Sequence, residues 1–253
     1  MRVGFLGTGR IAAALVDALA PAGHQIELTR RGRTTSAALA ERHARVSVHD
    51  DPQAVVERSE VVFLCLMAAS AWELLPQLRF RPEQEVINVM CDAPLPRLRE
   101  AVAPAGRVCS TIPMPFVRQG GCPLPVHPRS PALDTLLGAD NEIIVVASEA
   151  AMTPHWAVAG TVAGMLTQLQ AIADWLGEGT GDPVGAERYV AALYGGYLGA
   201  LAKDGQGRLV EARSELATPG GLNQQFREAV EMAAMPEALR AGLDALGRRV
   251  PMD

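Results

Sequence analysis

The amino-terminal segment constrains the fold more than any other part of the chain. An apolar run at Arg2–Leu6 passes directly into Gly7-Thr8-Gly9-Arg10-Ile11-Ala12 and then into an apolar helical pattern. In such a string the first glycine permits a tight turn, the second lets the backbone approach a pyrophosphate, and the last small residue lets the helix pack on the strand. The N-terminus of the helix then faces the anion. The segment therefore predicts a dinucleotide site at the start of a parallel sheet.

A secretory signal peptide is the alternative interpretation of this segment, because Arg2, the apolar run and the small residues near Ala20 superficially fit one. Arg10 and Asp17 interrupt the apolar core that a signal peptide needs. We therefore interpret the segment as part of the folded protein.

Composition narrows the class of protein. The 253 residues are 49% hydrophobic and 20% charged, which indicates a globular chain long enough for one large domain or two modest ones. The formal net charge of -5 argues against a nucleic-acid partner, since phosphate binding relies on clustered basic residues. No stretch of about 18 residues lacks a charge, Gly or Pro, so no membrane span is predicted.

The four cysteines, at Cys65, Cys91, Cys109 and Cys122, form no Cys-x-x-Cys pair and have no His at metal-ligand spacing. We interpret them as reduced thiols that pack as small apolar groups in a cytoplasmic protein. No metal site is predicted.

The two halves of the chain differ in pattern. Up to about residue 148, short apolar β-like runs alternate with amphipathic helical ones, which predicts an α/β Rossmann-type domain with a parallel sheet over residues 1–149. The predicted strands are residues 2–6, 25–29, 45–48, 61–65, 85–89, 107–111 and 141–147. Before the last of these, six prolines between Pro113 and Pro131 crowd a segment that we predict to be a loop.

From about residue 150 the pattern is helical, which predicts an all-α domain for dimerisation and substrate binding over residues 150–253. Long helices are predicted at 154–176 and 183–202, and shorter ones follow Gly205, Gly221 and Met235. Small residues such as Gly195 and Gly196 let helices approach closely. We therefore predict a homodimer formed through these C-terminal helices.

The end of the second predicted strand bears on the choice of cofactor. NAD-selective folds place an Asp or Glu there to bond the ribose hydroxyls, whereas a 2′-phosphate requires positive charge. The acid Glu27 lies too early in the strand, and the next residues form a phosphate cradle of Thr29, Arg30, Arg31 and Arg33. We therefore predict NADP(H), with NAD(H) or a solvated arginine-rich loop as alternatives. The other predicted cofactor contacts are Gly7, Thr8, Gly9, Arg10, Ile11, Leu66 and Met67.

A second distinctive string, Thr218-Pro219-Gly220-Gly221-Leu222-Asn223, opens a helix in the second half of the chain. Two glycines before a helix expose backbone N–H groups, and Asn223 adds a neutral donor and acceptor. The string therefore predicts a site for a carboxylate or for the polar end of a small-molecule substrate. An ordinary Pro-Gly turn followed by a helix cap is the alternative.

Three segments together resemble the pyrroline-5-carboxylate reductase family over nearly the whole chain. They are the glycine string that begins at Gly4, Ile112-Pro113-Met114-Pro115, and Thr218-Pro219-Gly220-Gly221. The resemblance implies a Rossmann domain, a helical domain that interlocks two subunits, and NAD(P)H-dependent reduction of the C=N bond of a cyclic imino acid or related imine. It also implies substrate contacts at Pro113, Gly220, Gly221, Leu222 and Asn223.

Some positions depart from that family. It reads Met-Pro-Asn-Thr-Pro where this chain has Thr111-Ile112-Pro113-Met114-Pro115, so the Asn is absent. It reads Ser-Pro-Gly-Gly-Thr-Thr where this chain has Leu222 and Asn223 in place of the two threonines. The scaffold therefore resembles the family more than the substrate site does.

Hydride transfer to an imine needs few protein acids, because a protonated iminium is already electrophilic and the nicotinamide supplies the hydride. We predict Asn223 and Thr218 as the catalytic residues, with Asn223 orienting the imine and Thr218 bonding a substrate oxygen. A ketone reductase like the β-hydroxyacid dehydrogenases is one alternative, but the helix predicted at 154–176 lacks the lysine that those enzymes use. A non-catalytic NADP(H)-binding or sensor protein is the other.

Overall fold

The computed structural model describes residues 1–30, 33–201 and 205–249. These residues form two compact units, the first made of 1–159 with 247–249 and the second of 160–246. The boundary that we expected between residues 149 and 150 stays a prediction.

The first unit is built on one sheet whose strands are nearly all parallel. In the described part of the chain the strands are β1 (Arg2–Leu6), β2 (Gln25–Thr29), β3 (Val46–His49), β4 (Val61–Leu64), β5 (Glu85–Asn88), β6 (Arg107–Thr111), β7 (Pro123–His127) and β8 (Glu142–Val145). Their order across the sheet is β3-β2-β1-β4-β5-β6-β7-β8, and only the β6–β7 pair is antiparallel. The predicted α/β fold class is therefore confirmed.

Helices cover both faces of this sheet. They are α1 (Arg10–Leu19), α2 (Arg33–Arg42), α3 (Pro52–Arg58), α4 (Ala68–Leu74), α5 (Leu95–Ala101), α6 (Pro131–Leu137) and α7 (Met152–Ala159), with short 3-10 turns at Leu75–Gln77 and Pro115–Gln119. Because both faces are covered, the central strand β4 is apolar throughout and every one of its residues is buried. The rings of Phe5 and Phe63 stack at 5.0 Å across β1 and β4.

The proline-rich segment is the part of the first unit that the sequence analysis described wrongly. We predicted a loop, but the segment contains β7 and the first turn of α6. The carbonyls of Cys122 and Val126 accept hydrogen bonds from β8, so the nitrogens of Pro123 and Pro125 face away from that neighbour. On the other side of β7, β6 pairs only with Val126 and His127. Pro123 and Pro125 lack an N–H group, but they lie outside this pairing, so no hydrogen bond between the strands is lost.

The cysteine thiols of the first unit are free, and burial makes two of them unreactive. Cys109 is buried, and burial raises its pKa to about 12. Burial likewise raises the pKa of Cys65. Both therefore stay protonated and pack as small apolar groups, as predicted.

The second unit contains the long helices. They are α8 (Val162–Thr180), α9 (Pro183–Ala200), α10 (Arg208–Leu216), α11 (Leu222–Met232) and α12 (Met235–Arg249), the last of which ends in the first unit. The single helix predicted at 154–176 was wrong, because α7 ends at Ala159 and α8 begins at Val162. Gly160, which has low helix propensity, and Thr161, which takes the N-cap position of α8, separate them.

The second unit buries little of its own apolar surface. α8 packs against α9. The two helices approach so closely that a Cβ added at Gly177 would lie 3.0 Å from the Cα of Pro183. Neither α11 nor α12 has a buried residue among those described. Large apolar side chains are instead exposed along these helices, including those of Met165, Leu166, Trp175, Val184, Tyr189, Leu193, Leu198, Leu209, Val210, Phe226 and Met232. Within the described ranges, no helix is both long and apolar enough to cross a membrane.

Candidate functional site

The sheet topology gives the first unit one natural ligand-binding edge. The chain crosses from β3, at one edge of the sheet, to β4 on the far side of β1, so the strand order reverses between β1 and β4. In open parallel sheets, ligands bind in the crevice outside the carboxyl ends of the strands at such a point. The described residues among the predicted cofactor contacts lie at the carboxyl ends of β1, β2 and β4, and they are Gly7, Thr8, Gly9, Arg10, Ile11, Thr29, Arg30, Leu66 and Met67.

The turn after β1 depends on Gly7 for both conformation and space. Its φ of +96° is one that L side chains rarely adopt, and an added Cβ would collide with the carbonyl oxygen of Cys65. The backbone N–H of Cys65 donates to the Leu6 carbonyl at 2.8 Å. This hydrogen bond holds the residue that follows β4 against the end of β1. Because the Cys65 thiol stays protonated, it adds no negative charge beside the turn.

Gly9 differs from Gly7 because the protein itself does not require a glycine there. Its φ is -80°, which any residue adopts, and an added Cβ would meet no protein atom within 4 Å. Gly9 is the N-cap of α1 and supplies no side-chain cap to the first N–H groups of that helix. The open space over a helix N-terminus fits the close approach of a pyrophosphate, so the residues present fit a dinucleotide.

Thr29 at the end of β2 holds the glycine turn in place through hydrogen bonds of its side chain. Its buried hydroxyl accepts a hydrogen bond from the Gly7 N–H at 3.0 Å and donates to the Phe5 carbonyl at 3.4 Å. We predicted Thr29 as part of a phosphate cradle, and the structure instead shows its hydroxyl fixing the glycine turn. The sequence did not signal this contact, because it joins residues that are 22 positions apart.

Arg30 is the described cation at the tip of β2. Its backbone N–H donates to the His49 carbonyl at 2.9 Å, and its guanidinium is paired with Asp50 at the surface. Glu27 faces His49, with 2.5 Å between Oε2 and Nε2, so its carboxylate is engaged with a neighbouring strand rather than placed at the tip of β2. Of the other predicted phosphate ligands, Arg31 lies outside the described residues, and Arg33 is the first residue of α2.

The ends of β4, β5 and β6 complete the edge. Met67, the N-cap of α4, is 80% exposed, whereas Leu66 packs against the core beside Gly7. Asn88, which the sequence analysis did not single out, is buried and donates to the Ser110 hydroxyl at 3.0 Å. The hydroxyl oxygen of Thr111 is buried and has no hydrogen-bond partner among the described residues. Pro113, predicted to contact substrate, is buried in the loop that follows.

The second predicted site lies wholly in the second unit, between α10 and α11. Gly220 has a φ of +75°, and its N–H donates to Gln224 Oε1 at 2.7 Å. The Gly221 N–H donates to the Thr218 carbonyl at 2.9 Å. The two amides that we predicted to hold a carboxylate are therefore occupied within the turn. Leu222 is 85% exposed at the start of α11.

Asn223, the predicted catalytic residue, lines a cavity of about 180 Å³ in this unit. We call it the arginine cavity, and its lining residues are Arg213, Leu216, Ala217, Asn223, Phe226 and Arg227. The sequence analysis missed the two arginines, because they lie on different helices and only the folded structure places both in the lining of one cavity. Thr218 is not among the lining residues.

The comparisons with known proteins agree with this geometry. Residues 2–92 match a family model described as NADP oxidoreductase, coenzyme F420-dependent. No curated protein sequence matches the chain. A solved 1-pyrroline-5-carboxylate reductase from Streptococcus pyogenes matches with a TM-score of 0.81 at 16% identity, over 99% of this chain and 98% of that one. A pyrroline carboxylate reductase from Plasmodium falciparum with NADP bound matches with a TM-score of 0.83 at 13% identity, over 99% and 97%.

The chain has the fold of the pyrroline-5-carboxylate reductases. The predicted resemblance is thereby confirmed for the architecture. An imine reductase from Aspergillus terreus, in complex with NADPH4 and dibenz[c,e]azepine, matches this fold less closely, with a TM-score of 0.54 at 14% identity over 96% of this chain and 94% of that one. The pyrroline-5-carboxylate reductase fold thus extends over both units of the chain.

Proposed function

We propose that this protein is an NADP(H)-dependent oxidoreductase whose first unit binds the cofactor at the glycine turn. The observation that carries the proposal is Gly9, which has neither a conformational nor a packing reason to be glycine. A pyrophosphate that needs close contact with the backbone at the N-terminus of α1 supplies that reason. The family model matched by residues 2–92 and the NADP bound to the Plasmodium falciparum structure support the same cofactor.

The preference for NADP(H) over NAD(H) rests on Arg30. A guanidinium at the tip of β2 matches the charge of a 2′-phosphate, and the nearby acid Glu27 is engaged with His49 on the sheet face. Arg30 is itself paired with Asp50 at the surface, so the phosphate would share a guanidinium that has further N–H donors to offer.

We propose that the reaction is reduction of a C=N bond in a cyclic imino acid or related imine. The bound cofactor would supply the hydride. Asn223 would orient the imine through its amide, and Thr218 would bond a substrate oxygen. The support is the shared fold and the cavity that Asn223 lines, since a small polar substrate needs a concave site with few polar groups.

A titration of NADPH fluorescence tests the cofactor site. Gly9→Ala should lower NADPH affinity about tenfold or more, because its Cβ occupies the space of the pyrophosphate, while the free energy of unfolding changes by about 1 kcal/mol at most. Gly179→Ala is the matched control, since its Cβ also meets no protein atom but lies in α8. Unchanged affinity in Gly9→Ala would overturn the assignment. NADPH binding without oxidation on a panel of cyclic imines and ketones would instead favour the non-catalytic alternative.

We also propose a homodimer formed through the helices of the second unit. The support is the number of large apolar side chains that α8 to α11 leave exposed, since apolar surface of a soluble protein is often exposed where another chain binds. A second copy of the chain would cover them. Light scattering coupled to size-exclusion chromatography measures the mass directly, and a monomer at micromolar concentration contradicts the proposal.

A further inference from the structure

The tips of β2 and β3 lie side by side at the edge of the sheet. The two strands pair in parallel up to Thr29 and His49, and the backbone N–H of Arg30 donates to the His49 carbonyl at 2.9 Å. Positions 30 and 50 follow these paired residues, and there the guanidinium of Arg30 contacts the carboxylate of Asp50. Asp50 therefore lies beside the residue to which we assign the 2′-phosphate of the cofactor.

Asp50 differs from the other acids at these tips because its carboxylate is exposed and is not tied to the backbone. The carboxylate of Asp51 caps the start of α3, and that of Glu27 is engaged with His49. The Asp50 side chain is 80% exposed, and in the described part of the chain its hydrogen bond goes to Arg30 alone. An ionised carboxylate accepts several hydrogen bonds, so Asp50 has acceptor capacity left for a ligand.

A ribose bound at the tip of β2 would meet both members of this ion pair. NADPH carries a phosphate at the 2′ position, whereas NADH carries a hydroxyl there. A guanidinium attracts the phosphate, and a carboxylate repels it. A carboxylate accepts hydrogen bonds from the ribose hydroxyls of NADH, whereas a guanidinium has no acceptor to offer them. The two side chains therefore favour opposite cofactors.

We propose that Asp50 is a second specificity-determining residue of the cofactor site and acts against Arg30. It weakens NADPH binding because it competes with the 2′-phosphate for the guanidinium and repels that phosphate. It strengthens NADH binding because it accepts hydrogen bonds from the ribose hydroxyls. The inference rests on the proposed cofactor site and adds how that site divides its affinity between the two cofactors.

The exposure of the pair sets the size of the effect. The side chains of Arg30 and Asp50 are 44% and 80% exposed, so solvent and salt screen their charges. Each effect is therefore a few-fold change in affinity rather than an exclusion. A protein with this pair prefers NADPH and still binds NADH.

Fluorescence titrations of NADPH and NADH with the Asp50→Asn variant test the proposal. Asparagine keeps the shape of the side chain and removes its charge. NADPH affinity should rise about threefold, because Arg30 is released and the repulsion is lost. NADH affinity should fall about threefold, because a neutral amide oxygen is a weaker acceptor than a carboxylate. The ratio of the two dissociation constants should therefore move about tenfold toward NADPH.

Asp51→Asn is the matched control, because it removes the same charge one position further along and asparagine still caps a helix. It should keep the ratio of dissociation constants within about a factor of two of the wild type. Asp50→Glu retains the charge and should retain the wild-type ratio. The proposal is overturned by a wild type that binds no NADH. It is also overturned if Asp50→Asn fails to raise NADPH affinity or to lower NADH affinity, or if Asp51→Asn shifts the ratio equally.

The cofactor site and its selectivity fail in different ways. If Gly9→Ala weakens both cofactors and Asp50→Asn leaves their ratio unchanged, the cofactor site stands and the role of Asp50 falls. If Asp50→Asn shifts the ratio as expected and Gly9→Ala changes neither affinity, the role of Asp50 stands and the assignment of the pyrophosphate to the glycine turn falls.

Discussion

The two units of this protein differ in how much of their apolar surface they bury. The first buries every residue of the central strands β4 and β5 between two layers of helices. In the second, the nineteen-residue helix α8 has only Ala173 and Gly177 buried, and α11 has no buried residue among those described. The first unit therefore buries its core within a single chain, whereas the second leaves apolar surface exposed that the proposed dimer would bury. Each of the following predictions addresses that contrast.

The largest effect should come from Gly7→Ala in the first unit. Alanine at a φ of +96° is strained, and its Cβ would collide with the Cys65 carbonyl, so we expect a loss of about 3 kcal/mol or more in the free energy of unfolding. Urea unfolding followed by circular dichroism measures it. A loss no larger than that of Gly9→Ala would show that the turn is adaptable and that the first unit is less rigidly packed than its contacts indicate.

A charge on the exposed surface of α9 should have the next largest effect. Leu193 is 50% exposed, and Leu193→Glu should raise the dissociation constant of the proposed dimer about a hundredfold, or about 2.7 kcal/mol, because a carboxylate would enter an apolar interface. Sedimentation velocity over a dilution series measures this shift.

Val145→Glu is the control for this effect, since Val145 is 52% exposed but lies on the edge strand β8 of the first unit. Equal weakening by both variants would mean that the sheet edge also takes part in association. The contrast between a complete and a dependent unit would then be wrong.

A smaller effect is expected at the tip of β2. Arg30→Gln should weaken NADPH binding about tenfold and leave NADH binding unchanged, since only NADPH carries the 2′-phosphate. Fluorescence titrations with both cofactors measure the ratio. Equal changes for NADPH and NADH would identify Arg30 as a surface residue paired with Asp50 and nothing more.

The smallest effect concerns Asp17, which ties α1 to its neighbours in the first unit. Its carboxylate accepts hydrogen bonds from Arg42 Nη1 and His43 Nε2, each at 2.8 Å. Burial alone would raise the pKa of Asp17, but these two partners outweigh it and lower the pKa. A lowered pKa stabilises the folded state above the unfolded value of 3.8 and loses that stabilisation as the pH falls through the folded value.

Asp17→Asn should therefore cost roughly 1 kcal/mol near neutral pH, and the difference from wild type should shrink toward about pH 3. Urea unfolding at both pH values measures it. A difference that is independent of pH would assign the contribution of Asp17 to packing rather than to charge.

Local patterns predicted much of the first unit, because its signals lie within a few residues of one another. The turn between β1 and α1 could be predicted since the strand, the glycines and the helix are contiguous. β7 could not, because the tolerance for Pro123 and Pro125 depends on which sides of the strand have neighbours. In the second unit, the apolar pattern of α8 did not predict that Trp175 is 76% exposed in the single chain.

The two candidate sites, one in each unit, were predictable to different degrees. The residues around Gly7 and Gly9 were predicted individually, since a glycine string reports its own geometry. Arg213 and Arg227 were not, because they lie on different helices and meet only in the folded cavity. In the sequence, each looks like an ordinary solvated arginine of a polar helix. Asn223 was predicted from the glycine string of the second unit, and it also lines the arginine cavity.

The brace formed by Thr29 limits how this protein could be re-engineered for a different cofactor. A common design would place an acidic side chain at the end of β2 to attract the hydroxyls of NADH. At position 29 that design would remove the hydroxyl that serves both Gly7 and Phe5, and a buried carboxylate would meet a carbonyl oxygen. Cofactor selectivity is therefore adjustable at position 30, whereas the residue at position 29 is needed to hold the glycine turn.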